Sequence, residues 1–213
     1  MAILVTTPAA VPSDLVTLVK DHLRITNTDS DDLISGVYLP TAIDTFEKHT
    51  RRSLFTQTVK QTFDVFPVED HIHLLRATPL DASPSLTVKY YNEDNQLVTF
   101  DAANYDILTT SVPNMICLGA SKSWPTDLHP NRKNACEISY IAGYGTSIDN
   151  IKDKLILQAI LLMCDNMFNF RGDQLYSPGG VLSLTEAIGS TSIRILDLFR
   201  TGAHEWRSQY RPA

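Results

Sequence analysis

The chain has 213 residues, 43% of them hydrophobic, and a formal net charge of −6 at pH 7. This length accommodates one large domain or a compact domain with an insertion, and the hydrophobic fraction supplies a substantial core. The acidic excess argues against a protein that coats DNA phosphates electrostatically, although a channel wall past which DNA slides would tolerate it. The odd number and wide spacing of the cysteines suggest neither a disulfide framework nor a zinc knuckle. We expect reduced, buried thiols at Cys117, Cys136 and Cys164.

The N-terminal part of the chain predicts two helices. Residues 1–11 lack the basic region and the long apolar run of a signal peptide, so we expect synthesis in the cytoplasm. Ser13 is a plausible N-cap for a first helix, in which apolar residues recur at helical spacing up to about residue 24. The acidic segment 29–32 indicates the start of a second helix, in which Pro40 predicts a kink.

The middle of the chain changes to a period-two pattern with breaks at turn residues, which is typical of β-strands. Seven short strands are predicted, over residues 58–63, 72–74, 86–90, 96–100, 105–108, 115–118 and 137–141. Because helical segments lie on both sides of this region, the pattern indicates an antiparallel β domain inserted into a helical one.

Residues 150–171 predict the central helix of the fold. The interior has neither Gly nor Pro, Asn150 and Asp153 form a capping-box-like start, and Gly172 is a natural stop. A narrow polar stripe runs along this helix, formed by Lys154, Gln158, Asp165 and Asn169. Apolar residues cover most of the remaining circumference, so the helix needs partners on several sides.

Two placements of this central helix stay open. Its uncharged run, residues 155–164, is too short to cross a bilayer, which excludes a membrane span. The helix therefore lies either at the centre of a single-chain core or between its own core and a neighbouring subunit.

The last part of the chain predicts a loop, a short helix and a tail. Residues 172–180 are rich in Gly, Pro, Asp and Ser, which favours a loop. The helix that follows has as its apolar side Ile193, Leu196, Leu198 and Phe199. Residues 204–213 contain two aromatic residues and two arginines but no apolar face, so this tail is either disordered or ordered by a partner.

No catalytic constellation is recognisable, and we expect no catalytic residue, cofactor or metal. His71 and His73 share one face of a strand and could begin a metal site, but no further ligand follows at the required spacing. A small metal-dependent hydrolase that uses them is therefore a disfavoured alternative. The run 143–145, Gly-Tyr-Gly, lacks the rest of a dinucleotide-binding fingerprint and is interpreted as a tight turn in which Gly supplies positive φ.

Four stretches carry a more specific pattern. Residues 18–25 read LVKDHLRI before the acidic pair at 31–32, and residues 49–58 read HTRRSLFTQT. Residues 132–145 read RKNACEISYIAGYG, and the central helix follows over 155–168. In this order they resemble the gp6-like head–tail connector family of tailed phages, in particular its longer variant with a β insertion. Arg51 stands where that family usually has Gly.

The order of elements and the resemblance together predict an α+β fold, a bundle of about four helices with an inserted antiparallel β domain. Residues 1–55 would supply the N-terminal helices, 56–142 the β domain and 143–200 the central and C-terminal helices. Residues 201–213 would form a tail that contacts the portal.

The resemblance also implies a structural protein of the virion neck, made in the host cytoplasm. Several copies, typically twelve, would form a ring beneath the portal, link the capsid to the tail and enclose the DNA channel. The expected partners are copies of itself, the portal protein and a downstream neck or tail protein. DNA would pass without sequence-specific binding, and no membrane is involved. A neck stopper or tail-completion protein is the alternative within the virion.

Two sets of site residues follow from this resemblance and from the residue types. The candidates for the subunit interface lie on the central helix: Leu155, Ile156, Ile160, Met163, Met167 and Phe168. The candidates for portal binding lie in the tail: Trp206, Arg207, Tyr210 and Arg211.

Overall fold

A computed structural model describes residues 2–77, 79, 86–169, 174–177, 180–183 and 190–201 of the chain. The chain forms two units, each with its own hydrophobic core. The helical unit consists of Ala9–Phe55 and Tyr144–Arg200, and the β unit combines Met1–Pro8 with Thr56–Gly143. In sequence, the long segment of the β unit interrupts the helical unit. The predicted α+β fold with an inserted antiparallel β domain is confirmed.

The described part of the helical unit contains α1 (Ser13–Leu23), α2 (Asp31–Leu33), α3 (Leu39–Thr50), α4 (Lys154–Asn169) and α5 (Ser190–Asp197). These helices occupy the predicted positions, but two of the predicted starts are wrong. Pro12, and not Ser13, is the N-cap of α1. A capping box joins Ser147 and Asn150 around a short 3₁₀-helix. The carboxylate of Asp153 instead accepts a hydrogen bond from the Leu155 N–H, 3.1 Å away, at the start of α4.

The second helix is irregular just before Pro40. A π-helical segment, Ile34–Tyr38, connects α2 to α3, and the Leu39 N–H donates to the carbonyl five residues earlier instead of four. Proline has no N–H to donate, and its ring crowds the carbonyl four residues before it. The wider π-helical turn accommodates both effects, so the irregularity predicted at Pro40 takes this form.

Arg51 ends α3 in the left-handed conformation, with φ of +59°. Its N–H donates to the Glu47 carbonyl at 3.0 Å. Because left-handed backbone is unfavourable for residues with a Cβ, we expect Arg51→Gly to raise the free energy of unfolding by about 0.5–1 kcal/mol in urea denaturation. Arg51→Ala is the matched control, since it removes the side chain and keeps the strain. Equal stabilisation by both variants would contradict this interpretation.

The core of the helical unit is built around α4. This helix packs against α1, the π-helical segment, α3 and α5. Leu15, Phe46 and Leu196 are fully buried in the same cluster. The buried residues of α4 are Ile156, Leu157, Ala159, Ile160, Leu161, Met163 and Cys164. Of the two placements left open by the sequence, the centre of a single-chain core therefore describes most of the helix.

The β unit contains two antiparallel sheets in its described residues. The five-stranded sheet has, in spatial order, β1 (Ala2–Thr7), β2 (Gln57–Phe63), β8 (Cys136–Ala142), β4 (Thr87–Tyr91) and β5 (Leu97–Phe100). The three-stranded sheet has β3 (His71–His73), β7 (Met115–Leu118) and β6 (Tyr105–Leu108). Strands β2 to β8 are the seven strands predicted from the period-two pattern.

Two parts of the strand prediction are wrong. The sequence places residues 1–8 in the helical domain, but β1 pairs antiparallel with β2, for example Ala2 with Thr62, so these residues belong to the β unit. The sequence of β1, AILVTT, begins with four consecutive apolar residues, so it does not show the period-two alternation. The loop predicted over 172–180 contains a strand, β9 (Gln174–Ser177), which pairs with β10 (Gly180–Ser183). The Gly and Pro residues around these two short strands favour a loop and hide the period-two pattern.

A buried polar network around Gln61 of β2 connects the two sheets. Its side-chain amide donates to the His73 carbonyl at 3.0 Å, and its oxygen accepts from the Leu75 N–H at 2.9 Å. The Tyr140 hydroxyl on β8 donates to the same oxygen at 3.1 Å. Burial raises the pKa of Tyr140 well above its ordinary value, so this hydroxyl remains a donor at neutral pH.

Candidate assembly surfaces

One face of α4 is open to solvent, and we call it the α4 stripe. Its members recur every three or four residues and are Lys154, Leu155, Gln158, Leu162, Asp165, Asn166 and Asn169. The Asn169 amide donates to the Asp165 carboxylate at 2.8 Å along this face. The polar stripe predicted from the sequence is present, but Leu155, which is 46% exposed, and the half-buried Leu162 interrupt it. A mixed surface of this kind suits packing against another helix.

The structure corrects the predicted subunit-interface set. Ile156, Ile160 and Met163 are buried in the core of their own chain, so they are not available to a neighbouring subunit. α4 is apolar around most of its circumference because other elements of its own chain pack against it on several sides. Leu155 is exposed, whereas Met167 and Phe168 are half-buried at the C-terminal end of α4.

The predicted portal-binding set lies outside the described residues. Trp206, Arg207, Tyr210 and Arg211 all fall in 202–213, so the structure does not test them.

The end of α5, just before the tail, is fastened by Arg52. Its Nε donates to the Phe199 carbonyl at 2.6 Å, and one terminal nitrogen donates to the Tyr144 hydroxyl at 3.2 Å. The guanidinium also lies 5.9 Å from the centroid of the Phe199 ring. One turn earlier on α3, His49 Nε2 lies 2.8 Å from the Asp197 carboxylate. Residues at the end of α3 therefore fix the position from which the tail departs.

The predicted apolar side of α5 is only partly correct. Leu196 is buried, and Ile193 and Phe199 are half-buried. Leu198 is 71% exposed, because the helix ends at Asp197 and the helical periodicity no longer applies to the residue that follows. Leu198 is thus an additional exposed apolar group on the helical unit.

The start of α1 is joined to the 3₁₀-helix before α4 by Asp14. Its carboxylate accepts from the Ser147 hydroxyl at 2.8 Å, from the Ile148 N–H at 3.0 Å and from the Leu15 N–H at 2.9 Å. Desolvation favours the protonated carboxyl, but the hydrogen bonds together outweigh it and lower the pKa of Asp14 below its ordinary value of 3.8.

This lowered pKa predicts a pH dependence of stability. A carboxyl with a depressed pKa stabilises the fold above its unfolded-state pKa and loses that contribution as the pH falls through its folded-state value. We expect Asp14→Asn to lower the free energy of unfolding at pH 7 by about 1 kcal/mol, since the site is partly solvated. The difference from the unchanged protein should shrink in urea titrations as the pH falls below 3.8, and it should vanish once the pH is below the lowered pKa of Asp14 in the folded state. Asp21→Asn on the same helix is the control, and a difference that persists in acid would contradict the assignment.

The histidines of the alternative hydrolase hypothesis lie on β3. The ring centroids of His71 and His73 are 5.2 Å apart, and His73 is buried. Among the described residues, no group of three or more His, Cys, Asp or Glu side chains is placed to hold a metal ion. Within the same ranges, no helix has the length and apolarity needed to cross a membrane.

All three cysteines are free thiols, but only Cys136 and Cys164 are buried, so the prediction of burial is wrong for the half-buried Cys117. Burial raises the pKa of Cys164 to about 12, and burial together with the charge of Asp64 raises the pKa of Cys136 to about 12. These two thiols are therefore protonated and unreactive at neutral pH.

Comparison with known protein families agrees with these features. The family model described as "Phage gp6-like head-tail connector protein" matches residues 14–113, a little under half of the chain. The resemblance to the connector family that the sequence indicates is confirmed by this match. No curated protein matches the chain.

Solved structures share the fold over nearly the whole chain. A chain in "Neck of empty GTA particle computed with C6 symmetry" superposes with a TM-score of 0.74 at 19% identity, over 95% of this chain and 97% of the other. Chains in "Virion of native gene transfer agent (GTA) particle" and "Neck of native GTA particle computed with C12 symmetry" each give 0.71, at 19% and 18% identity and the same coverage. At this identity the likeness establishes a shared fold.

Two structural residues have roles that the sequence did not reveal. Arg52 lies in the HTRRSLFTQT motif, and its position directly after the residue at the helix end was the available signal. Asp14 precedes the first motif, and only its place in the first turn of α1 hinted at capping. Leu162 of α4 was not singled out in the sequence, because nothing local distinguishes it from its buried neighbours.

Proposed function

We propose that the chain is a head–tail adaptor, a structural protein of the virion neck that forms a ring beneath the portal. The ring links the capsid to the tail and encloses the DNA channel. Two independent similarities to known proteins, taken together, support this proposal. The connector family model matches 14–113, and the fold is shared over 95% of the chain with proteins of particle necks. No enzymatic activity is part of this function.

The ring in this proposal has cyclic symmetry and twelve copies. The neck structures that share the fold were obtained with C6 and C12 symmetry. A cyclic ring requires a heterologous contact, in which two different surfaces of neighbouring copies meet. The α4 stripe supplies one such surface in this proposal, with Leu155 and Leu162 as its apolar contacts. Met167 and Phe168 remain candidates at its C-terminal end.

The tail is proposed to bind the portal. Trp206, Arg207, Tyr210 and Arg211 are of the residue types that contribute most at protein interfaces, and the tail starts where Arg52 fixes the end of α5. A downstream neck or tail protein binds another face of the ring. The net charge of −6 is consistent with a channel that lets DNA pass without adhering to it.

Native mass measurement of the purified chain, alone and mixed with the portal protein of the same virus, tests this function. The expected species is a portal complex that carries a symmetric set of twelve copies of the chain. Simultaneous replacement of the four tail residues by Ala should abolish portal binding. The control Arg194→Ala with Leu198→Ala removes one exposed group from α5 and one from the residue that follows it, and it should retain binding. A chain that stays monomeric both with and without portal would overturn the proposal.

A further inference from the structure

The five-stranded sheet of the β unit has two open edges. β1 pairs only with β2, and β5 pairs only with β4, among the residues that the structure describes. Neither strand carries a charged residue, since their sequences are AILVTT and LVTF. Natural proteins usually protect edge strands with charges, proline or bulges. β1 has an irregularity only after Val5, which leaves its first four residues in regular register.

The exposed apolar residues of the two edges share one face of the sheet. Leu4 pairs with Lys60 in β2, and Lys60 pairs with Ser139 in β8. Ser139 in turn pairs with Thr87 in β4, so all four residues lie on one face of the sheet. Because alternate residues of a strand share a face, Lys89 and its partner Thr99 in β5 lie on this face, and so does Leu97. Leu4 is 60% exposed and Leu97 is 45% exposed. Both edge strands therefore lack charged residues and expose a leucine on the same face of the sheet.

The strand directions decide what kind of contact the edges can make. All neighbours in the sheet are antiparallel and the number of strands is odd, so β1 and β5 point the same way. If β1 of one copy pairs with β5 of the next copy, the two strands are therefore parallel. Repeating this contact from copy to copy arranges the copies around an axis. Self-pairing of β1 with β1 would be antiparallel and would stop at two copies.

We propose that β1 of one copy pairs in parallel with β5 of the adjacent copy, so that the sheets of neighbouring subunits join edge to edge. This inference rests on the ring of the proposed function. It identifies a second copy of this chain as the partner of each open edge. With strands about 4.8 Å apart, each copy adds about 24 Å, and twelve copies form a band with a radius of about 46 Å. Such a band is wide enough to surround a channel, and it leaves no unprotected edge.

Disulfide cross-linking of edge residues tests the pairing. Leu4→Cys and Thr99→Cys are exposed, conservative changes on the same face. Oxidation of the double variant within assembled rings should give a ladder of covalent oligomers that ends at the full ring. Mixed single variants should give only dimers that contain one chain of each kind. The control Leu4→Cys with Val98→Cys places the second thiol on the opposite face and should not cross-link, and the unchanged chain corrects for Cys117.

Three outcomes would overturn the inference. If rings form by native mass but the double variant gives no ladder, the edges do not meet and the proposed function stands. If Leu4→Cys alone gives covalent dimers, the edges pair by two-fold symmetry. If the unchanged chain forms no ring with or without portal, both the inference and the proposed function fail.

Discussion

Leu155→Glu on the α4 stripe is expected to prevent ring formation and to leave the helical unit folded. Leu155 is nearly half exposed in the single chain, so a glutamate at this position remains solvated before assembly. In the ring, the proposed helix contact would bury this group. Losing the apolar contact costs about 2 kcal/mol for each interface, and desolvating an unpaired carboxylate adds to this cost. Because every copy carries the change, the cost recurs at each contact around the ring.

Sedimentation velocity with portal present measures this effect, and circular dichroism checks the fold. Leu155→Ala should weaken assembly without abolishing it, since it removes contact area and adds no charge. Val68→Glu is the matched control, because Val68 lies in the β unit, is 98% exposed and gains the same charge. Rings of normal size and stability from Leu155→Glu would show that the α4 stripe is not a subunit contact.

Gly145→Ala is expected to destabilise the chain strongly, although it adds only one methyl group. Gly145 has φ of +133°, a conformation that residues with a Cβ rarely adopt. A Cβ would also lie 2.5 Å from the Asn150 side chain, which accepts the capping hydrogen bond from the Ser147 N–H. Backbone strain and the displaced cap together should lower the free energy of unfolding by about 3 kcal/mol, measured by urea denaturation.

Gly36→Ala is the control for this change. Gly36 lies in the π-helical segment before α3, and a Cβ there meets no atom within 4 Å. Alanine should therefore be neutral or slightly stabilising at this position. Adding Asn150→Gly to Gly145→Ala should recover the part of the loss that comes from the clash. A Gly145→Ala protein as stable as the unchanged chain would contradict the geometry of this turn.

The sequence predicted those parts of the fold that leave a local periodic signal. Strands β2 to β8 were recognisable because apolar and polar residues alternate over three to seven positions. The central helix was recognisable from its apolar circumference and its polar stripe. β1 was missed because its sequence, AILVTT, begins with four consecutive apolar residues and does not alternate. The hairpin of β9 and β10 was missed because Gly and Pro dominate the composition around strands of four residues.

The candidate site was harder to predict than the fold. A helical projection shows that α4 needs apolar partners, but it does not show whether they come from the same chain. The projection therefore predicts a subunit interface at Ile156, Ile160 and Met163, although their own chain buries them. Leu155 and Leu162 differ from these residues only in the side of the helix on which they lie. Which side the chain itself covers is known only from the packing of α1, α3 and α5 against α4.

The most direct test of the adaptor proposal is an electron-microscopy reconstruction of the portal assembled with this chain, viewed along the symmetry axis. We predict a closed ring of twelve copies beneath the portal, with the α4 stripe of each copy packed against its neighbour and the C-terminal tail in contact with the portal. A portal without such a ring, or a ring in which the α4 stripe faces only solvent, would contradict it.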